Sequence, residues 1–143
     1  MLNEKYQMLL DQYDISVSYT RRGRGCVLCF GKDDVYALSQ TSLSEERLCA
    51  VAKWTDAMHD HHFYKTDQYL LNKVGYFLTF DRYYETFVLR KTFSGTECDI
   101  HSLNDVKTAA QNLASFHNHC LDISFSSENL RKYNSISKQY EQK

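Results

Sequence analysis

Hydrophobic and polar positions follow two rhythms along this chain, and their succession predicts the elements. Residues 2–13 place Leu2, Tyr6, Leu9, Leu10 and Tyr13 at helical intervals, which makes one apolar stripe. The rhythm then shortens to two. Over 15–21, Ile15, Val17 and Tyr19 point one way and Ser16, Ser18 and Thr20 the other, the signature of a half-buried strand. A basic turn, Arg21-Arg22-Gly23-Arg24-Gly25, leads to a more fully apolar strand over 26–30. Gly31-Lys32-Asp33-Asp34 then turns the chain into a third strand, 35–40. Three strands on short loops predict an antiparallel meander.

Ser42 followed by Glu45 has the spacing of a capping box and predicts a helix from about 43 to about 60. Its inner face is Leu48, Val51, Ala52, Thr55 and Met58, with Trp54 at one margin, and His59, His61 and His62 stand at its negative end. Strand patterns return at 69–72 and 76–81, on either side of a turn at Lys73-Val74-Gly75, and again at 85–91. The aromatic residues at 76, 77, 80 and 87 are expected to fill the two faces of the sheet. Tyr83-Tyr84, at a turn, is the exception, a candidate exposed patch. Ser102 and Asp105 open another helix, with Val106, Ala109, Ala110, Leu113 and His117 as its face; on that reading His117 is a hydrogen-bonded core histidine. From about 126, Leu130, Tyr133, Ile136 or Ser137, and Tyr140 describe a more polar terminal helix, expected to fray.

The pattern predicts an α+β chain: an antiparallel sheet of five to six strands, a long helix packed on it, and helices at both ends. Length agrees, since 143 residues suit a single domain, with the sheet and long helix in 14–99 and trailing helices in 100–143. Composition narrows the function classes. A formal charge of −1, from 17 basic and 18 acidic residues, supplies no field to collect nucleic acid or a membrane surface. No apolar window approaches a membrane span and no leader pattern opens the chain, so a cytoplasmic protein is expected. Five cysteines at irregular spacing read as reduced thiols. Proline is absent, where about seven are usual, so chain reversals rest on five glycines with Asn and Asp.

Candidate chemistry is sparse. Cys26 and Cys29 are three apart on a strand, which directs them to opposite faces, and no second pair follows. His59, His61 and His62, like His117 and His119 beside Cys120, lack the four-residue spacing that puts two ligands on one helical face. No metal is expected. Gly23-Arg24-Gly25 is either a phosphate-covering turn, with arginines and backbone N–H groups favouring an anion, or an ordinary solvated hairpin. The second reading is favoured because Leu28 stands where a third glycine would be. Glu45 and Glu46 suit the positive end of a helix dipole.

The order of elements resembles the N-terminal lobe of protein-kinase-like enzymes. More narrowly, Arg22-Gly23-Arg24-Gly25, Ser44-Glu45-Glu46-Arg47-Leu48, Phe87-Val88-Leu89-Arg90, Gly95-Thr96-Glu97-Cys98-Asp99 and Leu113-Ala114-Ser115-Phe116-His117 resemble the spore coat kinase-like family of CotS type, related to aminoglycoside phosphotransferases and choline kinases. The resemblance covers roughly 14–120. It implies a nucleotide-binding set of Gly23, Arg24, Gly25, Ser39, Arg90, Thr92, Phe93 and Gly95, and a possible spore association. Two departures weigh against catalysis. The lysine expected on the third strand, which in such kinases pairs with a helix glutamate, is replaced by Ser39, and either Glu45 or Glu46 could be that glutamate. No segment after the last strong helix pattern resembles a catalytic loop. The expectation is therefore a non-catalytic module, without cofactor and with no catalytic or metal-binding residue. It would act through a protein partner or homodimer on the face that would meet a C-terminal lobe, including part of 103–118. The alternative is a nucleotide-binding half that uses ATP and magnesium with a C-terminal lobe from another chain.

Overall fold

The computed structural model describes residues 3–93 and 97–123. Gly95 and the expected terminal helix lie outside the described residues. The chain divides into two compact units: Met1–Lys53 with Asp67–Phe93, and Trp54–Thr66 with Ser94–Lys143.

The first unit is built on a six-stranded, wholly antiparallel sheet preceded by helix α1 (Glu4–Leu10). Strands β1 (Tyr19–Arg22), β2 (Val27–Phe30) and β3 (Val35–Gln40) form the expected meander. β6 (Thr86–Lys91) pairs with β3 along one edge. Its other edge carries β4 (Gln68–Tyr69) opposite Lys91 and Arg90, and β5 (Thr79–Phe80) opposite Phe87 and Thr86.

Alternation sorts the strand side chains onto two faces. Cross-strand partners share a face, so Thr20, Arg22, Val27, Cys29, Leu38 and Phe87 project together. Of these, Cys29, Leu38 and Phe87 form the main core with Leu9, Leu10, Tyr13 and Leu89. The stripe read on the first helix is thus what covers the sheet, although the helix itself is shorter than 2–13. Tyr13 lies beyond its end, buried with its hydroxyl 3.3 Å from that of Thr79. The opposite face carries Tyr19, Arg21, Phe30, Ala37, Ser39 and Arg90.

Several expectations are corrected. Tyr19 does not share the inward face of Ile15 and Val17. Those two pack against the core, but the ladder begins only at Tyr19. Residues before it are under no obligation to keep the two-residue phase, and Tyr19 stacks on Phe30 of the other face at 4.6 Å. Strands 69–72 and 76–81 shrink to two residues each because side chains satisfy the intervening backbone. Asn72 Oδ1 accepts from Val74 and Tyr76 N–H, Asn72 Nδ2 donates to the Leu78 carbonyl, and the Glu45 carboxylate accepts from Phe77 and Leu78 N–H at 2.7 and 2.9 Å. Of the aromatics expected to fill the sheet, Phe87 is buried, whereas Tyr76 and Phe80 are exposed, like Tyr83 and Tyr84 of the turn.

Helix α2 (Glu45–Asp60) crosses the boundary between the units. Its cap is Ser44, whose hydroxyl accepts from Arg47 N–H. The Ser42 capping box does not form, since Glu45 is occupied with Phe77 and Leu78. Leu48, Ala52 and Met58 are buried as expected, but Val51 is exposed.

In the second unit, α3 (Leu103–Asp122) starts at Ser102, whose hydroxyl accepts from Asp105 N–H, as the sequence predicts. Its packed face differs. Phe116 meets Trp54 and Phe63 at 5.5 and 5.8 Å, His119 meets Phe63 at 5.2 Å, and Lys65 donates to Asn112. Val106, Ala109, Ala110, Leu113 and His117 are exposed instead. Large rings bury far more surface than alanines, and they set the rotation of the helix. His119, whose Nδ1 lies 2.7 Å from the Ser115 carbonyl, holds the place expected for His117.

Candidate functional site

The turn between β1 and β2 is closed by Gly23 N–H donating to the Cys26 carbonyl. Gly25 has φ 68°, a left-handed conformation that a side chain resists. Gly23 is required for a different reason: a Cβ there would meet Cys26 Sγ at 3.0 Å and Leu28 Cγ at 3.2 Å. Arg24 is exposed at the tip.

This turn forms one wall of a groove of about 770 Å³, to which Gly23, Gly25 and Ser39 all contribute. Three of the eight residues singled out from the sequence thus come together. Lys5, Arg21 and Arg22 add positive charge, and no carboxylate lines the groove. The other described members lie elsewhere. Arg90 is engaged by Asp67 at 3.1 Å. Thr92 gives both its N–H and its hydroxyl to the Val35 carbonyl, at 3.0 and 2.9 Å, so its backbone donor is already used. Phe93 is exposed.

The lysine position can now be read in three dimensions. Ser39 sits opposite Val88 on the face that also carries Arg21 and Arg90. Arg21 lies over the Phe30 ring at 5.7 Å, and Arg90 is held by Asp67. Lys5 lines the same groove as Ser39, but it belongs to the other side of the sheet. Its ammonium is 5.3 Å from the Phe87 ring centroid, 3.5 Å from Glu85 and 3.6 Å from Asp81. Of the two helix glutamates, Glu46 is exposed, and Glu45 accepts one backbone N–H on each of its carboxylate oxygens, from Phe77 and Leu78. At the described kinase-like positions no lysine accompanies Ser39 on its face of the sheet, and the Thr92 N–H is already donated to Val35.

Burial pushes the Cys29 thiol up to about 11, reinforced by the neighbouring Cys26; at neutral pH it is an inert core group. Among the described residues no group of three or more His, Cys, Asp or Glu side chains is placed to share a metal ion. No described helix is long and apolar enough to cross a membrane.

Sequence reasoning read Arg22 as part of a basic turn but missed Tyr6, Thr20 and Gln40 as groove residues. The alternation that sorts Thr20 with Arg22 was legible; the convergence of helix α1 and β3 upon them was not.

The sheet, its long helix and their order define a kinase-like N-terminal lobe. Among solved structures the chain is similar to an aminoglycoside phosphotransferase from Alicyclobacillus acidocaldarius subsp. acidocaldarius, with a TM-score of 0.66 and 15% sequence identity, over 79% of this chain and 34% of that one. The chain therefore spans about a third of that structure's length, and what the two share is the fold. No family model matches the sequence. No curated protein matches it either.

Proposed function

We propose that this chain is a non-catalytic kinase-like N-lobe module, a relative of the spore coat kinase-like proteins, that acts by protein association. The observation that carries the reading is the apolar stripe of α3: Leu103, Val106 and Leu113 are 70%, 43% and 56% exposed. Helical periodicity marks this stripe as a face to be covered, and contiguous exposed apolar surface is the usual mark of a contact site. Ser39, with no lysine on its face of the sheet, supports the non-catalytic half of the proposal.

The test is sedimentation velocity over a concentration series. The chain is expected to self-associate, and the double variant Val106→Asp/Leu113→Asp to sediment as a monomer with an unchanged melting temperature. A wild-type chain that is monomeric throughout and binds no hydrophobic dye would overturn the proposal.

A second reading, a nucleotide-binding half completed by another lobe, is favoured by the meeting of Gly23, Gly25 and Ser39 in one cationic groove. It requires a thermal shift with magnesium and ATP that shrinks on changing Arg24 or Gly25. A flat response removes it.

A further inference from the structure

The groove beside the β1–β2 turn holds a set of polar groups that neither reading uses. Alternation along β1 sends Thr20 and Arg22 to the α1 side of the sheet and Arg21 to the other. Along β3 the same rule sends Gln40 to the α1 side and Ser39 away from it. Helix α1 closes the groove from above with Tyr6.

Within the described residues, the Arg22 guanidinium has no ion-pair or hydrogen-bond partner, and the Tyr6 and Thr20 hydroxyls and the Gln40 amide have no side-chain hydrogen bond. Lys5, by contrast, is balanced by Glu85 and Asp81. The uncommitted charge of the α1 side is therefore that of Arg22. Four donors of different reach line a space with no lining carboxylate, beside the partly exposed Val27 and the edge of the core at Phe87. A guanidinium presents two parallel N–H groups that match a phosphate edge. The volume is within the range of small-molecule sites, which pair an apolar lining with a few convergent polar groups.

We infer that the α1 side of this groove binds a phosphate monoester carrying an aromatic or apolar group, with Arg22 gripping the phosphate, Tyr6, Thr20 and Gln40 donating to its oxygens, and the organic group resting on Val27. This site lies on the opposite face of the sheet from the side chain of Ser39, and it needs neither ATP nor magnesium. It shares a groove and the charge of Arg22 with the second reading but not Gly23, Gly25 or Ser39, so each can fail alone.

The full chain is titrated with phenyl phosphate and, separately, with inorganic phosphate, in metal-free buffer. Affinity is followed by calorimetry and position by amide chemical shifts. Phenyl phosphate is expected to bind more tightly than inorganic phosphate and to shift resonances of Thr20, Arg22 and Gln40. Arg22→Gln is expected to weaken it about tenfold, the usual effect of losing one charge-assisted contact, and Tyr6→Phe to weaken it less. Arg21→Gln and Ser39→Ala, on the other face, should leave it unchanged, and all four variants should melt with the wild type. The inference is overturned by absent binding at millimolar ligand, by equal affinity for the two probes, or by binding that follows Arg21 and Ser39 instead of Arg22. Magnesium-ATP binding indifferent to Arg22→Gln would overturn it too if phenyl phosphate behaved the same way, while leaving the nucleotide reading standing.

Discussion

Asp81 shows how single residues anchor this structure. Its Oδ1 accepts from the N–H groups of Tyr83 and Glu85 at 2.9 Å each, and its Oδ2 faces Lys5 at 3.6 Å. Removal from water by itself would raise the carboxyl, but the backbone hydrogen bonds from Glu85 and Tyr83 and the charge of Lys5 outweigh it, and the group sits below the usual carboxylate range. A depressed folded value means that the contribution is present above the unfolded value, near 4, and disappears as pH falls through the folded one. Lys5 moves the other way. Desolvation opposes its charge, but Glu85 and Asp81 raise it overall, so its contribution is present below its unfolded value and lost only in strong alkali. Melting temperature is therefore expected to fall on acidification below about pH 4. Asp81→Asn should flatten that acid limb, and an unchanged limb in thermal melts across pH would refute the assignment. Tyr84, with φ 61°, occupies a region that bulky residues avoid; nothing in its surroundings explains why a tyrosine stands there.

At the scale of elements, Glu45 links helix α2 to the loop between β4 and β5. It accepts two backbone N–H groups that would otherwise serve a longer β5. Glu45→Ala leaves both partly buried donors without a partner, which costs roughly 1–3 kcal/mol per group in buried settings. A loss at the lower end of that range is expected in urea denaturation, because the site is partly exposed to water. Glu46→Ala, on an exposed position, should change little. The same elements show what a single sequence conveys. The strands 35–40 and 86–91 were legible almost to the residue, since each opens on β-branched and aromatic residues in a run bounded by turn residues. The short strands 68–69 and 79–80 were not. Their length is set by the side chains of Asn72 and Glu45, which take over backbone donors that the local pattern assigns to a ladder.

For the molecule as a whole, the kinase-like sheet is present, and a serine stands at position 39 of its third strand. Restoring the lysine alone, as Ser39→Lys, is not expected to produce a magnesium-ATP thermal shift. Its would-be partner Glu45 is already held by Phe77 and Leu78, Thr92 has spent its N–H on Val35, and Arg90 is committed to Asp67. A clear shift in that variant would show that the helix glutamate can be released. Of the candidate site, Gly23 and Gly25 were legible as a turn because few residues tolerate its backbone. The gathering of Ser39 and Arg22 about the same groove was legible only in part, because it depends on pairing between strands well apart in sequence.

Local chemistry, then, determined where this chain turns, which segments extend or coil, and that no lysine stands at position 39. These follow from backbone preferences and the two periodicities, which act over a few residues. Tertiary structure alone decided which side of α3 is packed, which glutamate of α2 is engaged, and which arginine is left over. Each of those outcomes depends on partners remote in sequence: Phe63 and Trp54 against a stripe of alanines, Phe77 and Leu78 taking the Glu45 carboxylate, and Asp67 pairing with Arg90 on the face of the sheet away from Arg22. Such contests are settled by buried area and hydrogen-bond geometry once the chain has folded.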